Sequence, residues 1–367
     1  MRTLTSIALL ASTTFLFGAN PSSVSTPAEI RTALGAHNRA VHVKDGWIRD
    51  PYVIKDPDGY YYVTGTTLLS GTKETLEKKY SSGPPGYELR VWKTKDFIRW
   101  QLLGVPFTLK DGVWFTAKPE RFGQVPEANW RLWAPELHFI NGKCVLVHTS
   151  PSPVNGANLS VATGARPARP WSNPLGEKIA QRHDPSLFQD DDGIWWLIWG
   201  GTSIAPLKAD LSDFTAEPVN ISPSGAVSQV GYEGCLIRKL YGKYVLFGTA
   251  WSTGKGRKGS YNLYYATADK ITGPYGERKF AGRFLGHGTL FQDHAGRWWC
   301  TAFFNANVPP LSRDGIQSKD LAQDAQTINE QGLTLVPLEI RKEAGDVVVR
   351  AADPDYAKPG PDEMQKF

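Results

Sequence analysis

The chain has 367 residues, a formal charge of +5, 12% aromatic residues including 13 tryptophans, and 36 glycines with 26 prolines. Its basic residues are dispersed apart from short groups within 73–79 and 255–258. That is too sparse for a nucleic-acid surface, though it suits an anionic polysaccharide or simple solubility. Three cysteines without paired spacing (Cys144, Cys235 and Cys300) exclude a disulfide scaffold and a zinc site. Each lies in a strand-like run where a small buried hydrophobe fits, and only Cys235, near Glu233, has a neighbour that could activate a thiol.

Met1-Arg2 and the short apolar run that ends at Gly18-Ala19 read as a signal peptide over 1–19. The run is too short to span a bilayer and no later stretch approaches that length, so the expectation is a secreted or periplasmic protein with no membrane span. Residues 20–45 read as a leader with a short helix near Leu34; the only other helical periodicity falls at 321–328.

From residue 46 one pattern repeats: a short strand, a Gly-centred turn and an aromatic strand. Arg49-Asp50-Pro51-Tyr52-Val53-Ile54 runs through Asp58-Gly59 into Tyr60-Tyr61-Tyr62-Val63. Trp133-Ala134-Pro135-Glu136 runs through Asn141-Gly142, and His183-Asp184-Pro185-Ser186 through Asp192-Gly193. Tyr232-Glu233-Gly234-Cys235 runs to Gly242, and Gly286-His287-Gly288 to Gly296. Asx-Gly between apolar runs marks a hairpin. Five such units predict an all-β fold, a five-bladed β-propeller over 46–350. Residues 333–340 and 346–350 would close it, and 351–367 would form a flexible tail. The long connections 70–87 and 110–131 would wall a pocket.

Asp50, Asp184, Glu233 and His287 each stand nine residues before the turn glycine of their unit. This register predicts one ring of ionisable side chains around the axis. In the second unit that count falls on Trp133, and a tighter hairpin would bring Glu136 onto the ring. Carboxyl groups facing one another across a gap are the equipment for splitting a glycosidic bond: one protonates the leaving oxygen, the other activates water or attacks directly, and a third tunes the acid. Trp133, Tyr232 and Trp251 would offer flat faces to sugar rings, each with core packing as its plain alternative.

In this order the motifs resemble glycoside hydrolase family 43, over roughly residues 46–305. The resemblance implies a five-bladed propeller and inverting hydrolysis, with Asp50 matching the general base, Asp184 the pKa-tuning carboxylate and Glu233 the general acid. His287 matches an axial histidine that neighbours a calcium ion or water in many members; no cofactor is required, and a structural calcium in the central channel would be held mainly through water. Glu136 and Cys235 depart from the usual Asp and Pro, which bears on the subfamily and its sugar. The expected substrate is an oligo- or polysaccharide of plant or algal origin, cleaved by an arabinofuranosidase- or xylosidase-like activity. A galactose- or anhydrogalactose-specific enzyme, with His287 rivalling Glu233 as acid, stays open, as does a carbohydrate-binding propeller without turnover. A retaining fructan-type hydrolase lacks its leading Asn-Asp-Pro-Asn-Gly motif here. Oligomeric state is not legible.

Overall fold

A computed structural model describes residues 24–72, 85–179, 183–304 and 327–367. Five antiparallel sheets form the blades of a β-propeller. Blade one comprises Ile48–Lys55, Tyr61–Thr67, Trp92–Thr94 and Gln101–Leu102, from the axis outward. Blade two comprises Arg131–Ile140, Lys143–Ser152, Gly156–Ala162 and Trp171–Ser172; blade three Ser186–Gln189, Trp195–Trp199, Ser203–Pro206 and Val219–Asn220. Blade four contains Glu233–Leu240, Lys243–Trp251, Tyr261–Ala268 and Lys279–Gly282.

The fifth blade runs Leu290–Gln292, Trp298–Phe303 and Gly332–Glu343, and its outer strand is Val41–Asp45 from the start of the fold. The segment expected to be a leader therefore belongs to the propeller. Val41 pairs with Leu335 and Asp45 with Gly332, so closure joins the two ends of the domain. The helix expected near Leu34 is Pro27–Ala36, capped by a reciprocal Thr26–Glu29 pair with Pro at its first turn. The expected helix at 321–328 and the signal segment 1–19 fall largely or wholly outside the described residues.

Apolar side chains pack between neighbouring blades. Tyr62 and Val91 of blade one meet Leu137 and Leu146 of blade two, and Val145 meets Leu187 and Leu197 of blade three. Ile198 meets Ile237 and Leu246 of blade four, Phe247 meets Leu290 and Val336 of blade five, and Trp299 and Leu333 return to Val53 and Val63. Each strand face therefore buries its alternate residues against the next sheet, the arrangement that stabilises radial sheets without a central core. All three cysteines are buried inside this packing. Burial pushes the Cys144 thiol up to about 12 and the Cys235 thiol higher still, which removes Cys235 as a nucleophile at neutral pH.

Two expectations about connections are corrected. Residues 110–131 do not form an open loop: Val113–Ala117 and Pro119–Gln124 are short helices whose Trp114 and Phe122 pack with Trp130 into the blade one–two cluster. The Trp114 indole N–H also donates to the Ala157 carbonyl at 2.8 Å. Nor does 351–367 hang free. The Asp362 carboxylate is fully buried and accepts from the hydroxyls of Ser252 and Ser260 and from the Arg283 guanidinium. Glu363 accepts from Tyr264 and Asn262, and the buried Tyr356 hydroxyl donates to Asn329 at 2.9 Å.

Candidate active site

The five innermost strands share one backbone device. Asp50, Ala134, Asp184, Gly234 and His287 all adopt positive φ, between 38° and 63°, a strained choice for every one but the glycine. In blades one, two and four this residue sits in a bulge, where the pairing register slips between Arg49 and Tyr52, Trp133 and Glu136, and Glu233 and Leu236. A bulge at the end of an inner strand turns side chains toward the axis. The left-handed residues of blades one, three and five are Asp50, Asp184 and His287, three of the four ionisable groups that sequence spacing placed on one ring.

The fourth is displaced by one residue. Gly234, not Glu233, holds the equivalent position in blade four, and Glu233 stands where Arg49, Trp133 and His183 stand in theirs. Glycine at 234 is required twice over: its φ is +63°, and a Cβ there would lie 3.0 Å from the His287 ring. Its N–H donates to Asp184 Oδ2 at 3.0 Å. The site thus has two tiers. The deeper tier is Asp50, Asp184 and His287, whose side chains are 5%, 12% and 14% exposed; the outer holds His183 and Glu233, at 24% and 21%.

Carboxylates and imidazoles alternate through both tiers. Asp50 Oδ1 lies 3.2 Å from His287 Nδ1, and His287 Nε2 lies 3.9 Å from Asp184 Oδ2. His183 Nδ1 lies 3.8 Å from that same oxygen, and its Nε2 is 4.0 Å from Glu233 Oε2. Three hydroxyls fix the carboxylates. Thr66 donates to Asp50 Oδ2 at 2.7 Å and accepts from the Ala134 N–H; Thr149 accepts from the Asp184 N–H and donates to its Oδ1 at 3.2 Å. The Tyr261 hydroxyl donates to Glu233 Oε1. His183, Thr66, Thr149 and Tyr261 were not singled out from sequence. His183 could have been, since it directly precedes Asp184 as Arg49 precedes Asp50; the threonines and Tyr261 lie on second and third strands, where only the fold brings them in.

Burial pushes the Asp184 carboxyl up, but His287, His183 and the Gly234 N–H overcome it and hold the group below its usual range. Burial pushes His287 down, but Asp50, Asp184 and Glu233, against Arg49, hold it above. A raised histidine contributes stability that is full below its unfolded value near ~6.5 and fades as pH climbs through the folded value. A lowered aspartate contributes stability above ~3.9 that fades as pH falls through its folded value. The Tm gap between the wild type and His287→Asn is therefore expected to be widest between about pH 4 and 6.5 and to shrink in alkaline buffer. Thermal melts across pH check this, and a gap that widens with pH would contradict a charged His287.

The other expected residues divide. Glu136 is not on the ring: it lies two residues beyond Ala134, deeper in the channel, with Oε2 3.0 Å from His138 Nε2. The cavity that Glu136, Tyr52, Asp50, Asp184 and His287 enclose leaves about 10 Å³ for the centre of a water molecule, room for a single water. Trp133 is half-buried with the Arg49 guanidinium 6.0 Å from its ring. Trp251 is buried and stacks on Tyr261 at 4.3 Å, which places it behind Glu233. Tyr232 is exposed beside it.

Calcium wants six to eight oxygens at 2.3–2.6 Å. Around His287 both ring nitrogens already face carboxylates, and the channel has room for one water, so these donors do not fit a calcium cage. Elsewhere among the described residues, one ligand atom each from His183, Asp184 and Glu233 lies within 4.8 Å of the others. That mixed imidazole–carboxylate set suits a transition ion better than calcium, but it is built from the same groups as the alternating chain.

A propeller whose axis ends in three separated carboxylates, joined through imidazoles and aromatic-lined on one side, defines a carboxylate-dependent glycoside hydrolase. The profile of Glycosyl hydrolases family 43 matches residues 42–324, and the chain belongs to that family, whose members are inverting glycoside hydrolases. Beta-D-galactofuranosidase xynD of Aspergillus niger is 24% identical over 81% of this chain and 84% of its own length. The extracellular endo-alpha-(1->5)-L-arabinanase 1 of Bacillus subtilis is 24% identical over 82% of this chain and 84% of its own. A putative beta-xylosidase of Escherichia coli is 25% identical over 69% of this chain but only 47% of its own. The GH43 BlXynB structure from Bacillus licheniformis shares the fold at a TM-score of 0.58 and 19% identity, covering 89% of this chain and 59% of that one. The chain thus spans about three fifths of that protein. The match bears out the expected family, the five-bladed all-β fold and the class of enzyme.

Proposed function

We propose that the protein hydrolyses terminal or internal glycosidic bonds of plant or algal oligosaccharides with inversion, as an arabinofuranosidase- or xylosidase-like enzyme. Asp50 acts as general base, Glu233 as general acid and Asp184 as the carboxylate that sets the field between them. The observation that carries this reading is the alternating chain from Asp50 to Glu233. Two imidazoles and Asp184 separate the pair, which supports a water-filled gap of the inverting kind over the ~5–5.5 Å spacing of direct attack.

In this reading Asp50 takes a proton from water as its oxygen bonds to the anomeric carbon. Glu233 gives its proton to the departing oxygen, so Asp50 ends protonated and Glu233 ionised. His287 is a positioning residue: its Nδ1 holds Asp50 and its Nε2 faces Asp184, which leaves Glu233, nearer the mouth, as the group that meets the leaving oxygen. The galactofuranosidase among the relatives, matched along most of both chains, favours a galactose-type sugar as the second reading. Export through the signal segment 1–19 belongs to the same proposal and is checked by sequencing the N-terminus of the secreted protein.

The test uses leaving groups of different acidity. Glu233→Ala is expected to lose about 10²–10⁴-fold in kcat/KM on alkyl glycosides, which need a proton, and far less on 2,4-dinitrophenyl glycosides, which do not. Equal losses on both would remove Glu233 from the acid role. Proton NMR of the first product should show the anomer opposite to the substrate's; a retained anomer would overturn inversion.

A further inference from the structure

One pocket lies beside blade four, one side-chain layer from the acid, and is not used by the chemistry described above. It has a volume of about 390 Å³, which suits one or two sugar rings. Its walls include Tyr232 and Trp251 from blade four, Arg257 from the loop after Trp251, Arg278 from the blade's outer edge, and Met364 from the docked C-terminal segment. Asp50, Asp184, Glu233 and His287 do not line it. Tyr232 is the residue before Glu233, and its backbone can lie so close to the neighbouring strand because residue 231 is glycine: a Cβ there would fall 2.2 Å from the Thr249 nitrogen.

The pocket is connected to the acid through side chains. Trp251 stacks on Tyr261, and Tyr261 donates to Glu233. The Tyr232 hydroxyl lies in the opposed fields of Glu233 and Arg257. The Trp251 indole N–H is buried without an acceptor at hydrogen-bonding geometry, although the Tyr232 hydroxyl is close enough to be influenced by it.

The charge in this pocket is one-sided. None of its described lining residues is acidic. Arg278 is partly compensated, held by Gln365 at 2.8 Å and within the field of Glu363. Arg257 is exposed, and no hydrogen bond or ion pair engages it among the described residues. Lys255 and Lys258 flank it on the same exposed loop.

We propose that this pocket, one side-chain layer outside the reacting centre, takes an anionic sugar, a uronate or a sulfated residue. The ring lies against Tyr232 and Trp251 and its charge pairs with Arg257. This deepens the glycosidase reading and rests on it. Trp251 and Tyr261 stand between the pocket and Glu233, so it takes a unit of the substrate away from the bond being cut. An arginine there can grip a carboxylate or sulfate with two parallel hydrogen bonds.

The experiment titrates the full-length protein with D-galacturonate, galactose 6-sulfate, D-galactose and inorganic sulfate by calorimetry. It also measures each as an inhibitor of 4-nitrophenyl glycoside hydrolysis. The charged sugars are expected to bind at least tenfold more tightly than galactose and than sulfate alone, and to lose that margin in Arg257→Gln. The Tm of that variant should match the wild type's, so that a lost margin reports the pocket and not the fold. Tighter binding of galacturonate than of galactose 6-sulfate assigns a carboxylate, and the reverse order a sulfate. Equal binding of charged and neutral sugars, or an unaltered margin in Arg257→Gln, overturns the proposal while Glu233-dependent turnover leaves the glycosidase reading standing. If no nitrophenyl glycoside is turned over, the glycosidase reading itself has failed.

Discussion

Asp50→Asn is expected to lower kcat by about 10²–10⁴-fold, the usual worth of a general base, and to lower kcat/KM equally, with the Tm moving by only a few degrees. The side chain is 5% exposed and fixed from both sides, by Thr66 at 2.7 Å and His287 at 3.2 Å. Asparagine keeps an oxygen for the Thr66 hydroxyl and nearly the same volume, so packing survives. What it removes is the charge that takes the proton from water. Loss in kcat without a rise in KM separates a transition-state role from substrate binding. Steady-state kinetics beside a thermal melt decide it: retained turnover within tenfold would move the base elsewhere, and a collapsed melt would make Asp50 a structural residue first.

Removal of 352–367 is expected to prevent stable folding, although none of the site residues lies in that segment. Arg283 would lose its buried partner Asp362, and breaking a buried ion pair from one side costs ~3–5 kcal/mol. Loss of the fully buried Tyr356 would add ~1.5–3 kcal/mol of apolar burial and leave Asn329 without the hydroxyl it accepts from. Against a typical total of ~5–15 kcal/mol, little stability remains. Circular dichroism of the truncated chain checks this. Asp362→Ala, which keeps the rest of the segment, should still fold but melt well below the wild type; a truncated protein with an unchanged Tm would show that the segment is dispensable.

The propeller was legible because its turns repeat. Asp58-Gly59, Asp192-Gly193 and Gly296 each lie within five-residue loops between inner and second strands, so counting back nine residues finds Asp50, Asp184 and His287 correctly. In blade four Leu240 pairs with Lys243 across Tyr241-Gly242 alone, both at positive φ, the two-residue hairpin favoured by strand twist. That turn is shorter by more than its strand is longer, so the same count overshoots by one and lands on Glu233 rather than Gly234. Blade two has the same turn at Asn141-Gly142, which is why the count fell on Trp133 and why Glu136 ends up down the channel. A one-residue slip moves a side chain to another face, and here it separates the acid from the deeper tier. His183 and Tyr261 were hidden for a different reason: their importance comes from which blade they face, and pairwise distance across an axis leaves no periodic trace.

The outer strand of the fifth blade carries a cost in time. Val41–Asp45 is made early in translation, yet its partner Gly332–Glu343 emerges nearly the whole domain later. At ~5–20 residues per second that interval is on the order of 15–60 s. Through it the strand has an open edge, a template for wrong pairing with another chain, and its burial of Val41 and Val43 cannot begin. Closure must then bring together segments of the largest sequence separation in the fold, the kind of contact that slows folding most. Refolding from denaturant should accordingly end in a slow phase that a mutation in Val41–Asp45 alters and one in blade three does not.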